Sequence, residues 1–519
     1  MPRSTPAPPS VAIIGGGFGG IAAAVKLRRA GFDDFTIFEQ SAGPGGTWWD
    51  NRYPGCEVDI PSHAYSFSFM DYDWPRTHAT QPELQRYAEV VVDRFGLRPH
   101  FRFGTRVEEL TWDESASGYR VRTDDGAERT FRFVINCAGL LNVPRYPDWP
   151  GLEDFGGIAF HTARWEDHDL TGKRVAVVGT GSTAVQIIPA IAPETGRLYV
   201  FQREPGWIEP KGERAFTARE RAIFLRSRVA RRAYRMWLFW KSMERFKAYD
   251  ASSKQQGRMQ RLCRHFIDTA IDDPTVREAV TPDHPWGCKR PVLASTFYPT
   301  LNRANVELVP EPVTSVTGKG IVDATGVERE VDVLIMSTGF QPTRFLARTT
   351  VTGAGGQKLQ DYWGERPRAF LGVTVPNFPN FFILYGPNTN GGFSIIAQLE
   401  RQAEIAVAAI RRVHRLGLRT VDTREAALDR YVRWIDRQLD RHASAMRADC
   451  HNYYHASSGA NVTQWPRTHF VYYMMCRTLP YLGLRYSGKR PATRRPDPSP
   501  KAYSTKSTVN GGEGRSHDG

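Results

Sequence analysis

Residues 11–39 read VAIIGGGFGGIAAAVKLRRAGFDDFTIFE, and this stretch decides the fold class. Val11 to Ile14 is a short, wholly apolar strand pattern that passes through glycines into a helical stretch, Ile21 to Arg29. A second strand pattern follows, Phe35 to Glu39, so the order is that of a βαβ unit. Gly15, Gly17 and Gly20 spell G-x-G-x-x-G between strand and helix, where the backbone can approach a pyrophosphate held at the helix N-terminus. Glu39 closes the second strand, where a carboxylate can accept hydrogen bonds from both hydroxyls of a ribose. With strand, helix and acid in register, the motif is more than a tight turn.

The unit recurs. Arg174 to Val178 reads as a strand, Gly179-Thr180-Gly181-Ser182-Thr183 as the turn, Ala184 to Ile191 as a helix and Leu198 to Gln202 as the next strand. Gly179, Gly181 and Ala184 give G-x-G-x-x-A, and the residue after the last strand is Arg203 rather than an acid. A carboxylate there would repel the 2′-phosphate of NADP, whereas a guanidinium can pair with it, so the second site reads as one for NADPH rather than NADH. The bland alternative is an ordinary surface arginine.

Two such units imply an α/β protein with two Rossmann-like dinucleotide-binding domains, here expected over 10–150 with 346–487 and over 151–210 with 288–345. Residues 211–287, rich in Arg, Ala, Met and aromatics, read as a helical insertion. Its WLFW run, Trp237 to Trp240, has three uses in order of preference: burial against the core, the wall of an apolar entrance, or rest on a membrane surface. Val331 to Ser337 and Asn380 to Tyr385 read as strands ending in TGF and GPN, both aimed at a ligand. Residues 1–9 and 488–519 carry little that is apolar and are expected to be disordered.

The 519 residues, 41% hydrophobic and 24% charged, suit a soluble protein of two or three packed domains. The six cysteines are scattered without a C-x-x-C pair, which suggests neither a zinc site nor a dithiol centre, and a cytoplasmic setting. No metal is expected. The net charge of +14 is concentrated in 211–247 and after Gly488, and reads as a solvated helix face with a polar tail. No nucleic-acid motif accompanies it, and no apolar run reaches the roughly 20 residues of a membrane span, leaving at most peripheral membrane contact.

Three stretches then resemble one family. Gly45 to Asp59, GGTWWDNRYPGCEVD, meets every defined position of the longer signature of type I Baeyer-Villiger monooxygenases. Phe155 to Trp165, FGGIAFHTARW, fits their shorter fingerprint F-x-G-x-x-x-H-x-x-x-W, although Glu166 follows where the family usually has Pro or Asp. Gly287 to Pro291, GCKRP, is similar to the segment that brings a Lys and an Arg into the site. The resemblance implies FAD, NADPH and O2 as cofactors and co-substrate, and a small-molecule ketone converted to an ester or lactone through a peroxyflavin.

It also implies roles. Arg290 is the catalytic cation beside the peroxide, and Asp59 orients it. Lys289 contacts the NADP 2′-phosphate together with Arg203, while His161 couples the two nucleotide domains or serves as a plain structural hydrogen-bonder. Gly46, Thr47, Trp48 and Tyr65 resemble flavin-contacting positions, with core packing the alternative for Trp48. Near the C-terminus CHNYYHASSGANV is similar to the segment that covers the nicotinamide, with Tyr453 where many members have Trp and Asn452 where they have Ser.

Two other readings compete. A related flavin monooxygenase oxygenating nitrogen or sulfur would share both glycine motifs but lack the Trp165 ending and the Lys289-Arg290 pair. A basic membrane- or nucleic-acid-associated protein would leave Asp59, Lys289 and Arg290 without a task. A pyridine-nucleotide disulfide reductase is disfavoured because no cysteine pair follows the first unit.

Overall fold

All four residues of the strand Val11–Ile14 are buried, as are all four of Phe35–Phe38 and of Phe133–Asn136. Strands apolar on both faces need cover on both faces, and parallel pairing with helices packed on either side provides it. In the computed structural model, which describes residues 8–250, 253–391, 393–441, 454–456 and 458–488, these strands form the centre of a five-stranded parallel sheet. Val11–Ile14 lies between Phe35–Phe38 and Phe133–Asn136, with Phe101–Arg102 and Phe381–Ile383 at the edges. The strand order reverses at Val11–Ile14, which places a topological switch point at its C-terminal end, beside Gly15.

The helix Phe18–Arg29 covers this sheet and packs on the long helix Ile395–Arg415, with Lys26 Nζ 2.6 Å from Glu404 Oε1 across the contact. Most of the expected disordered ends, 1–7 and 489–519, lie outside the described residues, and so does Tyr453.

A second parallel sheet runs Val306–Val309, Arg197–Phe201, Arg174–Val178, Val333–Met336, Ile158–His161. Its strands all fall between two parts of the first sheet in sequence, so the second unit is inserted into the first. Smaller sheets accompany the two; one pairs Val107–Asp113 antiparallel with Gly118–Thr123.

The helical segment comprises Ala218–Arg226, Arg228–Phe246, Lys254–Ala270 and Pro274–Val280. A two-strand ladder of Ile208–Glu209 with Val292–Leu293 closes its base, so the chain leaves and returns at neighbouring points. Burial of the WLFW run holds only for its middle. Leu238 is buried and Phe239 half-buried, while Trp237 and Trp240 are 46% and 56% exposed, because helical rotation carries them past the inward face. Among the described residues no helix is long and apolar enough to cross a membrane.

Candidate active site

The first glycine turn is built by close approach of backbone to backbone. A Cβ on Gly20 would sit 2.0 Å from the Gly15 carbonyl oxygen, so only glycine lets the helix start this close to the strand. Gly17 caps the helix without any side-chain hydrogen bond to its first amides, which leaves them for an anion. Glu39, 4% exposed, accepts from the Gly16 amide at 2.6 Å and the Ser41 amide at 2.8 Å. Burial pushes its carboxyl upward and those amides pull it back. The cradle and the buried acid fit a dinucleotide.

The longer signature lies against this turn. The Gly45 amide donates to the Gly16 carbonyl at 3.1 Å, and Gly46 caps the short helix Thr47–Asp50. Trp48 is buried and its indole N–H donates to the Tyr65 hydroxyl at 3.2 Å, so the two aromatic residues act together; Thr47 is exposed. Further on, Gly55 has a φ of 76°, and a Cβ there would meet the Gln186 carbonyl oxygen at 2.5 Å. Gln186 belongs to the helix Ala184–Ile191 of the second unit, and its side chain donates to the Glu57 carbonyl at 2.9 Å. The signature thus bolts the first nucleotide turn to the second unit.

Its last residue reaches the centre. Arg290 donates to Asp59 Oδ2 in an ion pair. Burial would raise the Asp59 carboxyl, but Arg290, then Lys211 and Arg245, outweigh it and hold Asp59 below the ordinary carboxylate range. Arg290 also lines a cavity with Leu140, Leu141, Pro342, Tyr385 and Tyr454.

Around the pair lie charges that sequence reasoning missed. Lys211, its side chain 1% exposed, places Nζ 2.6 Å from Glu57 Oε1, an ion pair off the hydrogen-bond direction. Glu209 is 5% exposed, accepts from Arg245 at 2.7 Å and from the Trp286 indole at 3.2 Å, and is pushed upward by burial. Glu57 occupies an undefined position of the signature, and Lys211 and Glu209 lie in the neck of the helical segment. No local pattern marks them; the Ile208–Glu209 ladder brings them beside Arg290.

In the second turn Gly179 has a φ of 111°, and Thr183 heads the helix Ala184–Ile191 without a side-chain cap. Gly181 and Ser182 are exposed, with open space around Gly181; Thr180 is half-buried. The Val185 and Gln186 amides donate to the Gly181 and Thr183 carbonyls, both at 3.1 Å, so a second anion would take the amides of the turn itself. Arg203 is exposed just beyond the strand Arg197–Phe201. Lys289 pairs with Glu204 at 2.5 Å, which brings it next to Arg203 in the chain.

His161 ends the strand Ile158–His161 and is 1% exposed. Its Nδ1 accepts the Ala163 amide at 3.0 Å, so Nε2 donates to the Gly339 carbonyl at 3.1 Å. Burial first, with Arg164 adding to it, holds the imidazole below its ordinary value. Both nitrogens are thus committed to main-chain partners at the end of the strand. The GPN loop is pinned by Asn388 to the Asn461 carbonyl at 2.9 Å, and the following helix begins only at Ile395. Cys288 is disulfide-bonded, a pairing the cysteine spacing did not suggest, whereas Cys56, Cys137, Cys263 and Cys476 are free and buried.

Two parallel sheets, each with an uncapped glycine turn, and one anchored arginine between them define a class of protein that brings two dinucleotides to a shared site. The family model for pyridine nucleotide-disulphide oxidoreductases matches residues 12–217, which include both turns. A Baeyer-Villiger monooxygenase of Streptomyces coelicolor is 40% identical over 463 residues, spanning 88% of this chain and 89% of that protein. An oxidized steroid monooxygenase bound to NADP superposes with a TM-score of 0.83 at 31% identity, covering 93% of this chain and 100% of that one. A complex of OTEMO with FAD and NADP gives 0.83 at 29%, covering 92% and 99%. The chain belongs to the type I Baeyer-Villiger monooxygenase family.

Proposed function

We propose that the chain uses FAD, NADPH and O2 to insert one oxygen atom beside a ketone carbonyl, giving an ester or lactone, NADP and water. FAD would be held at the first turn by Gly15, Gly17, Gly20, Glu39, Gly46 and Thr47, with Trp48 and Tyr65 nearby. NADPH would be held at the second by the 179–183 turn, with Arg203 and Lys289 to pair with its 2′-phosphate; Tyr453, expected on the nicotinamide side, lies outside the described residues. When bound and reduced, FAD supplies the activation of oxygen.

The Asp59–Arg290 pair carries the reading. An arginine stays protonated throughout the working pH range, so its charge is a fixed feature of the cavity. Asp59 pairs with the guanidinium and so orients the cation toward negative charge that develops on a ketone oxygen. Leu140, Leu141, Pro342 and Tyr385 give the cavity apolar walls beside the polar Asn390 and Thr463, a mixed lining that suits a ketone. His161 holds the connection between the sheets and moves no proton.

The test is product analysis of the purified FAD-loaded protein with NADPH, oxygen and a panel of aryl and cyclic ketones. Ester or lactone should form, one for each NADPH consumed. Arg290→Ala should keep FAD and its reduction by NADPH yet lose at least about a hundredfold in ester formation, the scale of removing one preorganised donor. Oxygenation of amines or thioethers with no ester from any ketone would move the chemistry to the related class; ester formation by Arg290→Ala at the parental rate would remove the role of Arg290.

A further inference from the structure

The helix Arg228–Phe246 has two opposed faces. Inward, Arg235 donates to the carbonyls of His63 and Ser66 at 2.8 and 2.9 Å, Leu238 is buried, and the Phe239 ring lies 5.1 Å from that of Phe393. Outward, Val229, Met236 and Trp240 are 78%, 72% and 56% exposed. At about 100° per residue these three fall within about 20° of one line along the helix.

Isolated exposed apolar side chains are ordinary; concentration is not. Of sixteen large hydrophobic residues exposed among the described residues, six lie on the helices Ala218–Arg226 and Arg228–Phe246, and four more lie on His469–Thr478 and Pro480–Gly483. The two regions meet where the Phe239 ring lies 5.3 Å from His469, next to the exposed Phe470.

The charges along the stripe select the occupant. The helix carries six cations and one acid, and that acid, Glu244, is held by Lys247 at 2.8 Å. Arg232 and Lys241 stand exposed on either side of the apolar line, and Arg228, also exposed, reaches Asp71 at 3.9 Å. A second copy of the chain docked through this helix would set Arg232 and Lys241 against their own equivalents, since the acids beside the helix are already engaged, Glu244 by Lys247 and Asp71 by Arg228 and Arg231. An anionic bilayer meets both demands, since apolar side chains enter the acyl boundary while Lys and Arg reach the headgroups and Trp sits between.

We propose that the outer face of Arg228–Phe246, continued by Phe470 and Met474, docks this protein on an anionic lipid surface. The inner face of the same helix grips His63 to Ser66 around Tyr65, so the docked helix separates the bilayer from the proposed flavin site by its own thickness. A ketone dissolved in the membrane would reach the cavity with little transit through water. The docking itself does not depend on the reaction proposed above.

The test is co-sedimentation of the full-length FAD-loaded protein with phosphatidylglycerol-containing and pure phosphatidylcholine vesicles, with tryptophan emission read in parallel. Retention on the anionic vesicles, a blue shift, and weakening by salt are expected. Met236→Glu with Trp240→Glu should lower the partition at least tenfold, as should Arg232→Glu with Lys241→Glu. Neither pair should change thermal unfolding or turnover of a water-soluble ketone. Equal binding to both vesicle types, or binding unaffected by either pair, overturns the proposal. So does a protein that ignores vesicles but loses a dimer, seen by sedimentation velocity, when Met236 and Trp240 are replaced.

Discussion

Replacing Lys211 by Met removes the cation buried against Glu57 and leaves the carboxylate in place. The Lys211 side chain is 1% exposed and that of Glu57 18%, so water can recover little of the lost interaction. Orphaning one partner of a buried ion pair costs about 3–5 kcal/mol, and the residual access at Glu57 favours the lower end, about 3 kcal/mol. For a cooperative unit of about 150–250 residues that corresponds to a melting shift of roughly 6–12 °C.

Asp59 also loses one of the cations that hold its carboxyl down, so the effect extends to the anchor of Arg290. Adding Glu57→Gln to Lys211→Met removes the orphan charge and should restore at least half of the lost stability, a strongly non-additive result. Thermal unfolding of the FAD-loaded protein, with ester formation measured on the same four proteins of the cycle, reads both consequences. If the double variant loses the sum of the two single losses, Lys211 and Glu57 do not act as a pair and the reasoning is refuted.

Other outcomes follow from single contacts. Gly20→Ala forces a Cβ to within 2.0 Å of the Gly15 carbonyl oxygen, so the purified protein should contain little FAD by absorbance; full occupancy would contradict the cradle. Arg203→Ala should raise the KM for NADPH about 10–100-fold, the worth of one charge-assisted bond, and leave that for NADH nearly unchanged; parallel changes would make Arg203 an ordinary surface residue. Burial holds His63 and His78 down from 6.5 to about 4, Arg235 adding to it at His63 and Lys211 at His78. The unfolded chain therefore takes up protons there before the folded one does, and stability should fall as pH drops from 6.5 toward 4, by at most about 3 kcal/mol for each residue. A melting temperature unchanged between those limits would show that the two imidazoles titrate normally.

How much was legible depends on the range of the interaction. Both βαβ units announce themselves because strand burial, glycine turn and helix start are set by neighbours within about thirty residues. The Baeyer-Villiger signature was equally legible, and the structure supplies its reasons: Gly45 packs on the first turn, Gly55 on the helix of the second unit, and Asp59 on Arg290. The Trp237 to Trp240 run misled because an apolar tetrapeptide has no face until the helix assigns one, and rotation left both tryptophans outside.

From the amino-acid sequence alone come the two dinucleotide folds and Asp59 and Arg290, the residues that meet at the centre. Only the tertiary structure decided what surrounds that centre. Glu57, Lys211, Glu209 and Arg245 are separated by up to 188 residues in number and belong to no shared motif, yet they converge once the Ile208–Glu209 ladder closes the neck beside Arg290. Their effect depends on burial and on charges a few ångströms apart, and both are properties of the packed chain rather than of any stretch of it.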